Sequence, residues 1–209
     1  MKKRPRSAGV RNPAVLAVIH GFCMVAGFAL ILMRASGGDA GMLTVGILPA
    51  LLCPIFFVYY LSRIKVFGDM RSGRTAIARW TVPAAQFREF CEEEDRVPAG
   101  SIAVNFYRPP REVPAEGVEV IFSDSGVLIG GGYFPLSPTG GRRLQSVTYK
   151  AAYPPAIEFD MLLTTSVQTS SNTFASSRAL QSLRVPVAMA SRKHAGDVVR
   201  CYEAILSRA

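Results

Sequence analysis

AVLAVIHGFCMVAGFALILM, residues 14–33, and LTVGILPALLCPIFFVYYLS, residues 43–62, decide the fold of the first third of this chain. Each stretch has twenty residues and contains no Asp, Glu, Lys or Arg. Twenty helical residues span about 30 Å, which is the thickness of the hydrocarbon core of a bilayer. Neither stretch has the polar stripe that a core helix of a soluble protein turns to water. We therefore predict two transmembrane helices.

The basic residues beside these stretches predict their orientation. Residues 1–79 hold eleven Lys and Arg against two acids, whereas residues 80–209 hold thirteen of each. Lys and Arg that flank membrane spans stay on the cytoplasmic side. Because five precede the first span and four follow the second, we predict a hairpin in the bacterial inner membrane with both termini in the cytoplasm. A cleaved signal peptide over residues 1–36 is the alternative, but the apolar run exceeds the usual length of about 7–15 residues.

The net charge of +9 resides entirely in residues 1–79. A nucleic-acid-binding domain carries a basic excess of its own, so we expect no nucleic-acid partner. Four basic residues after the second span instead predict contacts with anionic lipid headgroups, at about 1 kcal/mol each. These are Arg63, Lys65, Arg71 and Arg74. The predicted organisation is a basic N-terminus (1–12), a transmembrane hairpin (13–62), a basic juxtamembrane linker (63–74) and a cytoplasmic domain (75–209).

Residues 75–209 are long enough for one independent core, and their alternation of apolar and polar residues predicts seven strands. The predicted strands are 75–82, 101–107, 117–123, 127–134, 142–150, 156–163 and 180–188. The last is demoted by Pro186 to an edge strand or a strand end.

Two predicted helices accompany these strands. The first, 84–96, carries Phe87, Phe90 and Cys91 on one face, and the second, 194–209, carries Val198, Tyr202 and Ile205. This order predicts an α+β domain, a small barrel or sandwich of seven strands closed by a C-terminal helix.

Three segments carry a resemblance to a known group. They are ARWTVPAAQFREF (78–90), GVLIGGGYFPL (126–136) and LRVPVAMASRKHAGDVVRCYEAIL (183–206). With the two N-terminal spans, they resemble the bacterial membrane-anchored PH-like domain proteins, including the YcxB-like type. The resemblance covers the architecture of nearly the whole chain and implies a scaffold or a membrane-associated regulator without catalytic residues.

A second resemblance is to the two-span β-barrel effectors of bacterial cyclic-oligonucleotide defence systems. In those proteins, ligand binding by the barrel makes the membrane part disrupt the bilayer. The closing amphipathic helix of this chain favours the PH-like interpretation. A basic, aromatic-lined pocket in the β domain would favour the effector instead.

His20 lies within the first span, where an ionisable group is often functional. Neither span contains an acidic or basic partner for it, so we interpret His20 as a polar contact to a neighbouring helix. Two pairs of small residues, Ala17 with Gly21 and Cys23 with Gly27, would allow such close approach.

Candidates for chemistry in the domain are weak. His194 has no acid or cysteine near it at metal-ligand spacing, so a surface or capping role is predicted. The acids Glu92–Asp95 point in different directions on a helix and are predicted to face water. Gly130–Gly132 is not followed by a helix, which predicts a strand kink rather than a phosphate cradle. The Ser/Thr-rich stretch 164–177 is predicted as a polar loop. We therefore expect no enzymatic activity, no metal and no cofactor.

The four cysteines, Cys23, Cys53, Cys91 and Cys201, form no CxxC motif. Reduced structural thiols are the expectation in a cytoplasmic compartment, and pairing of Cys23 with Cys53 is the alternative.

Further basic residues fall in predicted loops of the domain. They are Arg108, Arg111, Arg142, Arg143, Arg192 and Lys193. If these loops share the face toward the bilayer, they would contact anionic headgroups or a protein partner. Scattered surface charges are the alternative, and the sequence leaves this choice open.

Three functions remain as hypotheses. The first is a membrane-anchored scaffold that binds a protein partner or lipid headgroups, and the second is the nucleotide-gated effector. The third is an accessory subunit of a larger membrane complex, bound through its helices. The sequence leaves the identity of the partner and a homo-oligomeric state open.

Overall fold

A computed structural model describes residues 10–11, 13–37, 40–97, 105–107, 109–110, 112–168 and 174–208. The predicted contact residues Arg108 and Arg111 lie outside these ranges. The chain forms two compact units, one of Val10–Ser72 and one that contains Gly73–Ala209.

The first unit is a pair of long helices, preceded by a two-residue strand, Val10–Arg11. Helix α1 spans Pro13–Ala35 and helix α2 spans Ala40–Arg71. Both are long and apolar enough to cross a membrane, and only 11% of the apolar window of each is buried within the structure. Large apolar side chains therefore point outward, among them Val18 and Phe22, which are 71% and 75% exposed.

The two helices approach each other closely where one glycine faces another. A Cβ atom added to Gly46 would lie 2.8 Å from the carbonyl oxygen of Gly27. A Cβ atom added to Gly27 would lie 2.9 Å from the carbonyl oxygen of Gly46. Ala17 and Ala50 are buried as well. Small residues thus allow the backbones of the hairpin to touch.

The second unit begins with a four-stranded antiparallel sheet. Its strands are β1 (Ala76–Val82), β2 (Val118–Ser123), β3 (Gly126–Ile129) and β4 (Gly132–Pro135), in the spatial order β4-β3-β2-β1. Helix α3 (Ala84–Arg96) lies between β1 and β2 in the chain. Trp80 and Val82 of β1 are buried while Arg79 and Thr81 are exposed, as the predicted alternation requires.

A three-stranded antiparallel sheet follows. Its strands are β5 (Arg142–Lys150), β6 (Ala156–Gln168) and β7 (Phe174–Pro186), in the spatial order β5-β6-β7. After β7 come a 3₁₀ turn, Met189–Ser191, and helix α4 (Arg192–Leu206). The two sheets together have seven strands, the number that the sequence predicts, although not all of the same residues, and a C-terminal helix follows them as predicted. Of the two predicted alternatives, barrel or sandwich, the closed barrel is wrong: among the described residues, no ladder joins one sheet to the other.

Two of the predicted strands differ in the structure. The stretch 127–134 is split into β3 and β4 by a two-residue turn at Gly130–Gly131. Gly130 has φ +59°, which suits the first position of a type II′ turn, so the predicted kink is a hairpin turn. In the predicted strand 101–107, the first four residues lie outside the described residues. Asn105 makes only an isolated bridge, to Ser182.

The predicted loop 164–177 is wrong for most of its length. β6 and β7 continue as a paired ribbon from Thr164 opposite Arg178 to Gln168 opposite Phe174. Antiparallel pairing satisfies the backbone of a polar Thr-containing segment without an apolar core, and Thr favours strands. Residues 169–173 lie outside the described residues. At its other end β7 stops at Pro186, two residues before the predicted limit of 188.

The predicted linker 63–74 is helical over most of its length. Helix α2 continues to Arg71, and Gly73 follows with φ +80°, as a glycine after a helix C-terminus often has. The stretch that leaves the apolar span is therefore a further part of the same helix.

One core joins both sheets to the helices of the domain. Phe122 of β2 lies 6.2 Å from Phe159 of β6, and Phe159 lies 5.0 Å from Tyr202 of α4, measured between ring centres. The predicted stripe of α4 is confirmed, because Val198 and Tyr202 are fully buried and Ile205 is partly buried.

Tyr202 also holds α4 to the first sheet through its hydroxyl. The phenol donates a hydrogen bond of 2.5 Å to the carbonyl oxygen of Ser123, at the end of β2. Burial raises the pKa of the Tyr202 phenol well above its usual value, so the group remains a donor at physiological pH.

We expect Tyr202→Phe to lower the free energy of unfolding of the domain by about 1–2 kcal/mol, because a buried carbonyl loses its donor. Trp80 is the only tryptophan in the chain and is buried in this domain, so its fluorescence can follow unfolding of the intact protein. Tyr153→Phe is the matched control, since Tyr153 is 58% exposed and should change stability by less than about 0.5 kcal/mol. Equal losses in the two variants would contradict the role of the Tyr202 hydroxyl.

Candidate functional site

The described residues contain no group of three or more His, Cys, Asp or Glu side chains that could hold a metal ion. His194 is exposed near the start of α4. The four cysteines are free. Burial, reinforced by the neighbouring charges of Asp95 and Glu94, raises the pKa of the Cys91 thiol to about 11. A thiol that is almost fully protonated at neutral pH is a poor nucleophile.

His20 contacts α2 through tilted aromatic rings rather than through a hydrogen bond. Its ring centre lies 5.4 Å from that of Phe56 and 5.1 Å from that of Tyr60, both on α2. Its Nδ1 lies 2.7 Å from the carbonyl oxygen of Leu16, one turn earlier on its own helix. The imidazole therefore has a backbone acceptor and an aromatic setting, and neither requires a charged partner.

An aromatic and basic cluster marks the end of the apolar part of α2. The rings of Tyr59 and Tyr60 meet edge to face at 5.2 Å, and the Arg63 guanidinium lies 5.0 Å from the centre of the Tyr59 ring. We call these three residues the interfacial collar. Tyrosines and arginines of this kind are typical of the membrane–water boundary.

Three of the predicted headgroup contacts lie beyond the interfacial collar. Lys65 and Arg71 are exposed on α2, which continues for about 12 Å past Arg63. Arg74 is exposed where the second unit begins. The basic residues predicted to meet lipid thus start at the collar and continue to the first strand of the domain.

A second polar cluster lies on the outer face of the three-stranded sheet. Arg184 of β7 pairs with Glu94 of α3, with 3.1 Å between guanidinium and carboxylate atoms, and lies 4.0 Å from Glu158 of β6. Lys150 of β5 lies 3.4 Å from the other oxygen of Glu158. We call these four residues the acid–arginine network. Its centre is largely withdrawn from water, since the Glu94 and Arg184 side chains are 10% and 19% exposed.

Asn105 attaches a further segment to this network along the free edge of β7. Its side chain accepts a hydrogen bond from the backbone amide of Arg184 and donates one to the carbonyl oxygen of the same residue. The amide of Phe106 donates to the carbonyl oxygen of Ser182, at 3.0 Å. The edge of β7 is therefore covered at these residues.

The acid–arginine network corrects the predicted role of the acids 92–95. Glu94 does not face water, because it lies seven residues after Phe87 and four after Phe90 on the buried side of α3. Burial raises the pKa of the Glu94 carboxyl, while Arg184 and a hydrogen bond from Asn105 oppose the shift. The helical period of these positions was the signal that could have identified Glu94.

The contacts within the acid–arginine network are ion pairs and hydrogen bonds between α3 and the sheet and within the sheet. The Ser182 hydroxyl donates to Glu158 at 2.9 Å, and the charged groups face one another. No histidine or thiolate stands beside the serine to activate it, among the residues the structure describes. The arrangement therefore holds α3 onto the sheet.

The predicted basic loop residues that the structure describes lie at the starts of two different elements. Arg142 and Arg143 begin β5, and Arg192 and Lys193 begin α4. Helix α4 follows Pro186, the last residue of β7, after a short connection. Pro186 lies opposite Ala156, which lies opposite Lys150 at the other end of β5. The length of β5 separates the two ends by about 26 Å. Arg143, Arg192 and Lys193 are all exposed.

Arg142 differs from its basic neighbours. Its guanidinium lies 4.8 Å from the centre of the Phe106 ring, and burial lowers the pKa of this group. Phe106 in turn stacks against Phe134 of β4, with ring centres 5.6 Å apart. The sequence predicted Arg142 as a contact residue, but it gave no sign of its aromatic partner, which lies 36 residues earlier.

Comparisons of this chain with models of protein families, with curated proteins and with solved structures found no match.

Proposed function

We propose that this protein is a non-enzymatic scaffold or regulatory protein anchored in the bacterial cytoplasmic membrane. In this proposal its β domain is a cytoplasmic PH-like module that binds a protein partner or lipid headgroups at the inner face. The observation that carries the proposal is the course of α2. This helix runs without a break from its apolar part through the interfacial collar to Arg71, and β1 begins at Ala76.

The order of elements in the domain supports the PH-like part of the proposal. The resemblance leads us to expect a strand-rich domain closed by an amphipathic C-terminal helix. A four-stranded meander, a three-stranded meander and α4 follow in that order. The fully buried face of α4, with Val198 and Tyr202, supplies the closing contact.

The edges of the sheets favour recognition by surface charge over recognition by strand addition. β5 carries Arg142, Arg143 and Lys150, and its ladder is interrupted at Leu144–Ser146. β1 has a similar interruption between Ala76 and Ala78. Charged residues and bulges on edge strands oppose edge-to-edge pairing. We therefore infer that the domain does not associate through its strands.

The orientation is tested by protease protection of the intact protein carrying a C-terminal epitope tag. We expect protease to remove the domain from inverted membrane vesicles and to leave it intact in spheroplasts, because basic flanks are retained in the cytoplasm. A periplasmic control protein establishes that the protease is active on spheroplasts. Cleavage of the domain in spheroplasts, or release of the protein from membranes without detergent, would overturn the anchored, cytoplasmic arrangement.

The binding role is tested by crosslinking and mass spectrometry of the protein in its native membrane. Crosslinks from residues of the β domain to one partner, or to anionic phospholipid, would support the scaffold. Crosslinks confined to α1 and α2, with stoichiometric co-purification in mild detergent, would replace it by an accessory subunit of a larger complex.

A further inference from the structure

We infer that Arg142 and Phe106 form a recognition site for a phosphate ester on the domain. Arg142 makes no ion pair with a carboxylate within the part of the chain that the structure describes, although it is partly withdrawn from water. An arginine that is stacked on an aromatic ring keeps its forked donors available in the ring plane, which suits bidentate binding of a phosphate.

The strand register places Arg142 on the inner face of its sheet. Arg142 lies opposite Leu163 of β6, and Leu144, two residues later, lies opposite Met161. Because alternate residues share a face, and Leu144 and Met161 are buried, the Arg142 side chain is directed to the same side as the core. Arg143 is directed to the opposite side and is exposed.

A second polar group on this face lacks a partner. Gln181 of β7 lies opposite Met161, in the row next to that of Arg142. Its side-chain oxygen is buried and has no hydrogen-bond partner among the described residues. The backbone amide of Phe106 donates to the carbonyl oxygen of Ser182, the residue beside Gln181, so Phe106 lies near the unpaired side-chain oxygen of Gln181. A buried oxygen without a donor is costly, and a bound hydroxyl or water would satisfy it.

Two sources can supply the phosphate ester. One is the headgroup of an anionic phospholipid, and the other is a soluble nucleotide. Binding of a phospholipid headgroup would deepen the proposed function and rests on it. The two sources share the phosphate chemistry and differ in whether a bilayer must present it.

The inference is tested with the full-length protein in nanodiscs. One series contains increasing phosphatidylglycerol in phosphatidylcholine, and hydrogen exchange is followed at residues 142–144 and 105–107. The other uses phosphatidylcholine alone and is titrated with adenosine monophosphate and with inorganic phosphate, by calorimetry. Protection that rises with phosphatidylglycerol, without heat from the soluble probes, identifies a lipid headgroup, and heat from the soluble probes identifies a free phosphate ester.

Arg142→Met is the decisive variant, because it keeps an unbranched stem on the Phe106 ring and removes the charge. We expect binding to weaken about tenfold or more, since a partly desolvated charge-assisted contact is lost. Arg143→Met, its exposed neighbour, should change binding about twofold or less. Arg142→Lys should weaken binding to an intermediate extent, because it keeps the charge without the fork, and it serves if Arg142→Met does not fold.

Equal losses of binding in Arg142→Met and Arg143→Met would overturn the site and would indicate a general attraction of basic residues for the anion. Absence of any response in wild type, together with a lowered melting temperature in Arg142→Met, would overturn it in favour of a structural cap. The protease-protection test reports orientation alone, so its failure and the failure of this site are distinguishable.

Discussion

Replacement of Gly46 by alanine should destabilise the helix hairpin, although the same change at an ordinary helix position is stabilising. Alanine is favoured over glycine within a helix by about 1 kcal/mol. At Gly46, however, the new Cβ atom would lie 2.8 Å from the carbonyl oxygen of Gly27, a backbone atom that cannot rotate away. The helices must separate, and overpacking of this kind costs about 1–3 kcal/mol. Gly46→Leu should prevent the native approach altogether.

The packing of the hairpin can be measured by a disulfide crosslink between its two helices. The side chains of Cys23 on α1 and Cys53 on α2 are neighbours across the hairpin, so mild oxidation should join them in wild type. In a background with Cys91→Ser and Cys201→Ser, we expect Gly46→Ala to slow this crosslink and Gly46→Leu to abolish it.

Gly68→Ala is the matched control for that experiment. Gly68 lies on the same helix, and a Cβ atom there would meet nothing within 4 Å. The crosslink should form in this variant as in wild type, and the helix should be as stable or more so. If Gly46→Ala crosslinks as fast as Gly68→Ala, the close contact at Gly27 is not what holds the hairpin.

The sequence predicted best those elements whose periodicity is local. The two long apolar helices, α3, α4 and the alternation of Ile157 and Phe159 in β6 were all confirmed as secondary structure, because each pattern repeats within a few residues of itself. The small residues of α1 were recognised, but Gly46 was not, since its importance depends on which residue of the other helix faces it. A contact between segments is not encoded in the spacing of either one.

Turn chemistry and strand pairing explain the remaining differences. Three consecutive glycines, 130–132, permit a kink or a turn equally well, and only the pairing of Ile129 with Gly132 selects the turn. The polar stretch 164–177 lacks an apolar alternation, yet its described residues, 164–168 and 174–177, are held as a ribbon by their ladder. For the candidate site, the chain indicated that Arg142 is basic and near a turn. Its stacking on Phe106 depends on tertiary packing and could not be read from the sequence.

Replacement of Arg184 by methionine should cost the domain about 3 kcal/mol or more at neutral pH. Arg184 lies between Glu94 and Glu158, and the Glu94 side chain is only 10% exposed. Without the guanidinium, two carboxylates withdrawn from water remain without their shared cation, and breaking a buried pair in this way is strongly destabilising. The free energy of unfolding can be measured with Trp80 fluorescence in the intact protein, using urea.

Arg200→Met is the control for charge alone. Arg200 pairs with Asp197 one turn earlier on α4, where the side chains are 76% and 57% exposed. Exposed pairs at this spacing contribute about 0.5 kcal/mol or less. Similar losses in the two variants would mean that net charge, and not the acid–arginine network, determines stability.

Glu94→Gln separates the charge of this residue from its packing and gives the network a pH dependence. Because burial raises the pKa of the Glu94 carboxyl in the folded domain, the folded state binds its proton more tightly than the unfolded state does. The free energy of unfolding of wild type should then fall as the pH rises from the unfolded value of about 4.5 through the folded pKa.

The neutral amide of Glu94→Gln does not titrate, so this variant should be at least as stable as wild type at pH 7. This advantage should shrink as the pH is lowered toward 4.5. In Arg184→Met, the same substitution should recover part of the loss, since the carboxylate that loses its cation at position 94 is replaced by a neutral amide. A Glu94→Gln variant that is much less stable than wild type at pH 7 would show instead that the ion pair with Arg184 outweighs the burial of Glu94.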